Sequence, residues 1–176
     1  MKTLRYEHNG QTYHLCLNGA ALFDVYEKFG TKGFVTDHIQ GSDRKAFDAT
    51  CWMLAKLAEQ GEMVRRYQGH DHGKFPTEQM FRATLRPVDV VSARQAIGAA
   101  VALGFRREVE DEEDEVDLGL LELQKKNESD LTRAQYLRAG TQLLQLSAQE
   151  TLLLNIGTLS DLLVLEQARR NPQREE

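Results

Sequence analysis

Residues 42–61 read SDRKAFDATCWMLAKLAEQG, and their periodicity decides the fold class. Phe47, Cys51, Leu54 and Ala58 step by four, three and four residues. That spacing stacks them on one face of a helix, and Trp52 and Met53 widen the face. Ser42 stands where an N-cap is needed, with Asp43 in the first turn to complement the positive end of the helix dipole. Gly61 is expected to weaken or end the helix, with EMVRRY (62–67) as its extension where it survives the glycine. Cys51 reads as a small apolar core residue.

Working back towards the N-terminus, LRYEH (4–8) and TYHLCL (12–17) alternate and are rich in aromatic and branched residues. Between them lies Asn9-Gly10, the pair best suited to a type I′ turn because both central positions need a positive φ. A β-hairpin is predicted. Asn18 then caps a helix from about Gly19 to Phe29, with Leu22, Tyr26 and Phe29 on one face. Gly30 and Gly33 bracket a turn, and FVTDHIQ (34–40) is a short helical piece that stops at Gly41.

Towards the C-terminus, QGHDHGKFP (68–76) is a loop. Thr77 opens a short helix ending near Arg86. Pro87 starts the next one at its first turn, where its missing N–H costs nothing. This helix runs to Leu103, with Val90, Ile97 and Val101 on one face and Ala93, Ala96, Ala100 and Leu103 on another. A helix apolar on two faces is expected at the centre of its domain.

Residues 1–107 carry 15 basic and 11 acidic side chains, and residues 108–116 carry seven acids and no base. The net charge of −5 therefore comes from one short block. Like charges at that density repel and bury nothing, so the block reads as a linker. It divides the chain into a hairpin-plus-helix domain (1–107), an acidic linker (108–116) and a small helical module (117–176). In the module, LGLLELQKK (118–126) is a short helix. Thr132 caps another, with Leu137 and Leu144 seven apart. Ser147 caps AQETLLL with Glu150 in the capping-box position. Thr158 caps the last helix, with Asp161 in the matching place. The fold class is mainly α with an N-terminal β-hairpin. A module of about 60 residues buries only a small core and is expected to need a partner or the first domain for stability.

The chemistry-bearing motifs are few. His70 and His72 flank Asp71, but a metal site needs three or four ligands and no second cluster has ligand spacing, so no metal site is expected. The chain lacks a nucleophile elbow, a Walker loop and a dinucleotide-binding glycine pattern. Solvated carboxylates in the acidic block have no pocket to set their pKa values apart. The chain reads as a non-enzyme without a cofactor. Apolar runs such as TLLLN and LLVLE are far shorter than the roughly 20 residues that cross a bilayer, so no membrane partner is expected. The N-terminus has no apolar leader, so a cytoplasmic location is expected, with Cys16 and Cys51 reduced. LTRAQYLRAGTQLLQLSAQETLLL (131–154) has the outline of a helix-turn-helix. However, its second helix has no lysine or arginine for phosphate or base, and no nucleic-acid partner is expected. The leucine-rich faces fit protein binding, and Leu152, Leu153, Ile156, Leu159, Leu162 and Leu163 are the candidate partner-binding residues.

The layout of hairpin, helical domain, acidic linker and the segment LSAQETLLLNIGTLSDLL (146–163) resembles tail assembly chaperones of long-tailed phages and prophages, especially those of Gram-positive hosts. Ser147, Glu150, Ile156, Leu159, Asp161 and Leu162 match the family's outline. Where many members carry an aromatic two residues beyond the glutamate position, this chain has leucine. The resemblance implies a first domain (Met1 to about Arg107) that coats the tape measure protein. It also implies an extension (about Asp117 to Arg170), of the kind added by a frameshift, that recruits the major tail tube protein. Self-association is a further possible partnership, and such a chaperone is absent from the finished particle. Two other readings stand beside it: a helix-turn-helix regulator of a mobile element, and a structural tail or head–tail component.

Overall fold

The computed structural model describes residues 1–109 and 131–170. The chain is mainly helical behind an N-terminal hairpin. Strands β1 (Leu4–His8) and β2 (Gln11–Leu15) pair antiparallel with Tyr6 opposite Tyr13. Asn9 and Gly10 take φ values of 50° and 74°, the left-handed pair that a type I′ turn requires. Helix α1 (Gly19–Phe29) is capped by Asn18, whose Oδ1 accepts from the Ala21 N–H at 2.9 Å. The FVTDHIQ piece is a 3-10 turn, Val35–Ile39.

Helix α2 (Arg44–Tyr67) forms the spine of the fold. Cys51, Leu54 and Ala58 are buried on the expected stripe, with Phe47 half-buried. Two details differ from the sequence reading. The cap is Asp43, which accepts from Ala46 N–H at 2.9 Å, rather than Ser42. Gly61 does not end the helix, which continues for six more residues. A Cβ at position 61 would run into the carbonyl of His14 in β2, so the glycine is there to let strand and helix approach. Just beyond, Cys16 N–H donates to the Leu57 carbonyl at 2.9 Å.

Helices α3 (Glu78–Thr84) and α4 (Pro87–Phe105) follow. The expectation that α4 lies centrally does not hold. It buries one stripe, Ala93, Ile97, Ala100 and Gly104, and leaves Val88 and Val91 exposed. Apolarity all round a helix does not say how much of it is covered: α2, β1, β2, the 3-10 turn and the C-terminal helix Ile156–Arg170 all contact it, and Val88 and Val91 still stay exposed. By length and composition α4 could also span a bilayer, with a mean hydropathy of 1.3. Looking for uninterrupted apolar runs missed this, because Ser92, Arg94 and Gln95 break the run without much lowering its average.

After the gap in the described residues come α5 (Arg133–Arg138), α6 (Ala148–Leu153) and α7 (Ile156–Arg170). The short helix expected at 118–126, and most of the acidic block, lie outside the described residues. Thr132 and Ser147 cap as read, each with its capping box. The helix expected from Thr132 onward is interrupted, since α5 widens into a π turn over Ala139–Leu143. Thr158 is not a cap: α7 starts at Ile156, and the Asn155 carbonyl accepts from Leu159 N–H at 2.9 Å.

The C-terminal helices pack on the N-terminal body. Phe23 and Tyr136 meet edge to face at 5.5 Å, in a cluster with Leu154 and Leu159. Leu153 joins Cys16 and Val64 in another. A single carbonyl, that of Leu154, accepts from both the Tyr136 hydroxyl at 2.8 Å and Gly19 N–H at 3.0 Å.

Burial removes the thiolate's solvation and pushes Cys16 up to about 12 and Cys51 up to about 11. The thiolate is the nucleophile. Neither residue is therefore expected to react with iodoacetamide at pH 8 until the chain is unfolded. Mass spectrometry of the native protein checks this, and rapid native labelling of either would contradict the packing described here.

Candidate functional site

Helix α1 has two working faces. Leu22 and Val25 enter the main core, while Phe23 turns towards the C-terminal helices and Tyr26 touches both clusters. The chain then leaves through Gly30 and Gly33 into the 3-10 turn. Asp37 closes that turn by accepting from Phe34 N–H at 2.8 Å, and the Phe34 ring is left 72% exposed. The last turn of α4 contributes Val101 and Phe105, and Gly157 lets α7 lie against that turn, because a Cβ there would strike the Phe105 and Arg106 carbonyls.

These elements enclose an open groove of about 450 Å³ along the seam between body and C-terminal helices. One wall is Leu22, Tyr26, Val35 and Val101. The other is Leu131, Tyr136, Ile156, Leu159 and Leu163, with Phe34 and Phe105 also in the lining. Among the described residues, no charged side chain lines it. Several of its polar groups are already engaged. The Tyr136 hydroxyl donates to Leu154, the Ser160 hydroxyl donates to the Ile156 carbonyl at 3.0 Å, and Gln135 Oε1 accepts from Thr132 N–H at 2.9 Å. Small-molecule sites of this size usually hold a few polar groups aimed at the ligand. With these engaged, the groove suits apolar side chains.

Two polar clamps hold the seam together. Asn155, buried at 1% exposure, accepts from Lys2 N–H at 2.5 Å and donates to the Leu17 carbonyl at 2.9 Å and the Lys2 carbonyl at 3.2 Å. Asp161 accepts from Arg107 Nε at 3.2 Å and from Glu108 N–H at 2.8 Å. It thus fixes the chain to α7 at the start of the acidic block.

The six candidate partner-binding residues are split by the fold. Leu153 and Leu159 are buried, and Leu152, Ile156, Leu162 and Leu163 are half-buried. Ile156, Leu159 and Leu163 come together in the groove wall, whereas Leu152, Leu153 and Leu162 do not line it. Sequence reasoning missed Phe34, Val101 and Phe105, which lie far from the leucine-rich helix in sequence. The second helix of the helix-turn-helix outline, α6, turns Thr151 and Leu153 into the body. His70 and His72 sit on an exposed loop, and no group of three metal-ligating side chains occurs among the described residues.

Glu150 ties α6 to the end of α2. Hydrogen bonds from Ser147 and from the Tyr67 hydroxyl, the latter at 2.7 Å, hold its carboxyl down to about 2. A depressed carboxyl stabilises the fold above its unfolded value, and that contribution is lost as pH falls through the folded one. The contact is therefore expected to survive acidification well below the ordinary carboxylate range. Carboxyl NMR titration should place Glu150 near 2 and show a rise in Tyr67→Phe; an ordinary midpoint would mean the tie is not formed.

Compared with protein-family models, with curated proteins and with solved structures, this chain matches none of them.

Proposed function

We propose that this protein is a non-enzymatic assembly chaperone that holds an apolar stretch of an elongated helical client, in the manner of phage tail assembly chaperones. The observation that carries this reading is the groove. It is open and mostly apolar, its lining among the described residues carries no charge, and it is built jointly by the first domain and the C-terminal helices. A chaperone of this kind needs a charged, soluble exterior and one apolar strip, and exposed apolar surface rimmed by polar residues marks a binding face. The client is the tape measure protein, and the major tail tube protein is the subunit brought to it. Docking of the C-terminal helices against the body makes the client surface a property of the full-length form.

Co-expression with a tape measure protein, followed by affinity pull-down and gel filtration, tests the reading. The full chain is expected to keep the client soluble. The pair Phe34→Ser and Leu163→Ser is expected to lower retention at least about ten-fold, because apolar anchors in a desolvated groove carry most of such an energy. Thermal unfolding of the double variant alone shows whether the loss is of binding or of folding. Retention equal to wild type in a folded double variant would sink the groove as the client site. Salt-sensitive DNA binding by the full chain would favour the regulator reading instead.

A further inference from the structure

Arg65, near the end of α2, stands between two neighbours of opposite kind. Its Nη1 lies 3.2 Å from Nε2 of His14 in β2. Its Nε lies 3.6 Å from Oε2 of Glu62 on its own helix. A guanidinium only donates and is never deprotonated in proteins, so the first contact fixes the state of the imidazole. Nε2 of His14 must offer its lone pair, which makes the ring neutral with its proton on Nδ1. A second proton cannot be added without losing this partner. An Nε2–H would face an N–H, and two positive groups would stand 3.2 Å apart. The strand cannot shift to relieve them by moving closer to the helix, because the His14 carbonyl already lies where a Cβ of residue 61 would be.

We propose that Arg65 is a proton-driven toggle: with His14 neutral it ties the hairpin to α2, and on protonation of His14 it leaves the ring and pairs with Glu62. The groups facing the ring come from three elements. Arg5 lies opposite His14 in β1 and is itself engaged by Glu7 at 2.6 Å. Arg65 and Glu62 face it from α2, and His70 from the loop that follows. Burial is the largest cause that holds the imidazole below its ordinary 6.5; Arg65, Arg5 and His70 act in the same sense, and Glu62 opposes them. A lowered imidazole contributes stability that is present above 6.5 and lost as pH falls through the folded value. Glu62 can receive Arg65 without giving up its other partners. Its Oε1 accepts from Arg66 Nε at 3.0 Å and from Gly73 N–H, while Oε2 is the oxygen that Arg65 approaches. The loop held at Gly73 therefore stays in place when the hairpin tie opens.

Nitrogen-15 NMR of the full chain, titrated from about pH 8 to about pH 5, tests this across the histidine range. At the alkaline end His14 is expected to carry its proton on Nδ1, and its midpoint should fall below 6.5. The Arg65 Nε–H signal should move with that same midpoint as the side chain changes partner. The Gly73 amide should keep its protection from exchange throughout. His14→Gln keeps an acceptor at the end of the side chain and cannot take up a proton. In this variant the Arg65 shift is expected to disappear, and the thermal midpoint should fall less between the two ends of the titration than in wild type. The tautomer is read in the wild type, so that part of the test needs no variant to fold. A proton on Nε2 of the neutral ring overturns the proposal, and so does an Arg65 signal that titrates equally in His14→Gln. Loss of Gly73 protection at the His14 midpoint would mean that the whole end of α2 loosens, and would overturn the toggle.

Discussion

Replacement of Asn155 by leucine is expected to destabilise the protein by about 3 kcal/mol. The substitution nearly preserves volume, so its cost comes from polar groups left behind. Lys2 N–H, the Lys2 carbonyl and the Leu17 carbonyl lose their partner. Asn155 is almost fully buried and leucine leaves no room for water, so these groups would stay unsatisfied. Each buried orphan costs roughly 1–3 kcal/mol. The asparagine joins three separate segments: the entry to β1, the exit from β2 and the start of α7. Its loss should therefore loosen the C-terminal helices before the body unfolds. Urea denaturation gives the total, and limited proteolysis should show earlier cleavage within 131–170. A change below about 1 kcal/mol with unaltered proteolysis would mean that apolar packing alone holds the seam.

Gly61→Ala and Gly98→Ala are the same substitution in two helices, and opposite outcomes are expected. In an exposed helix interior the change stabilises by up to about 1 kcal/mol, and at position 98, where the new methyl meets nothing within 4 Å, that is the expected result. At position 61 the methyl meets the His14 carbonyl. The obstacle is backbone in a paired strand, which cannot rotate aside as a side chain can. Strand β2 must retreat from α2, straining the Cys16–Leu57 hydrogen bond and opening the core around Leu15 and Leu57. A net loss of about 2–4 kcal/mol is expected, since overpacking outweighs propensity. Thermal or urea unfolding of both variants decides it. A stable Gly61→Ala would show that the strand and helix can separate freely.

The features legible in the sequence are the local ones. The hairpin follows from Asn9-Gly10 between alternating strands, because the turn's positive φ values select those residues. The caps at Asn18, Thr77, Thr132 and Ser147 were legible because a short polar side chain there can accept from an unpaired helix N–H. In each, the side chain accepts from an N–H three residues on. The buried stripe of α2 follows from helical periodicity. Local reading failed where a residue answers to a distant one. Gly61 looks like a helix end until β2 lies against it. Thr158 looks like a cap until Asn155, three residues earlier, starts the helix while its side chain reaches Lys2 across 153 positions. Helix α4 looks central because its composition says nothing about how much of it is covered.

By itself, then, the sequence determined a mainly helical chain, its hairpin, most of its caps and its charge division, since each depends on backbone geometry or spacing within a few residues. Only the tertiary structure decided that the C-terminal helices lie on the first domain, that Ile156, Leu159 and Leu163 share a groove with Phe34, Val101 and Phe105, and that Val88 and Val91 of α4 stay exposed. The physical reason is that apolar side chains carry no address. Burial of a leucine is favourable against any apolar neighbour, so the choice among neighbours rests on close backbone approach at glycines and on buried polar groups such as Asn155, whose partners the chain reveals only once it is folded.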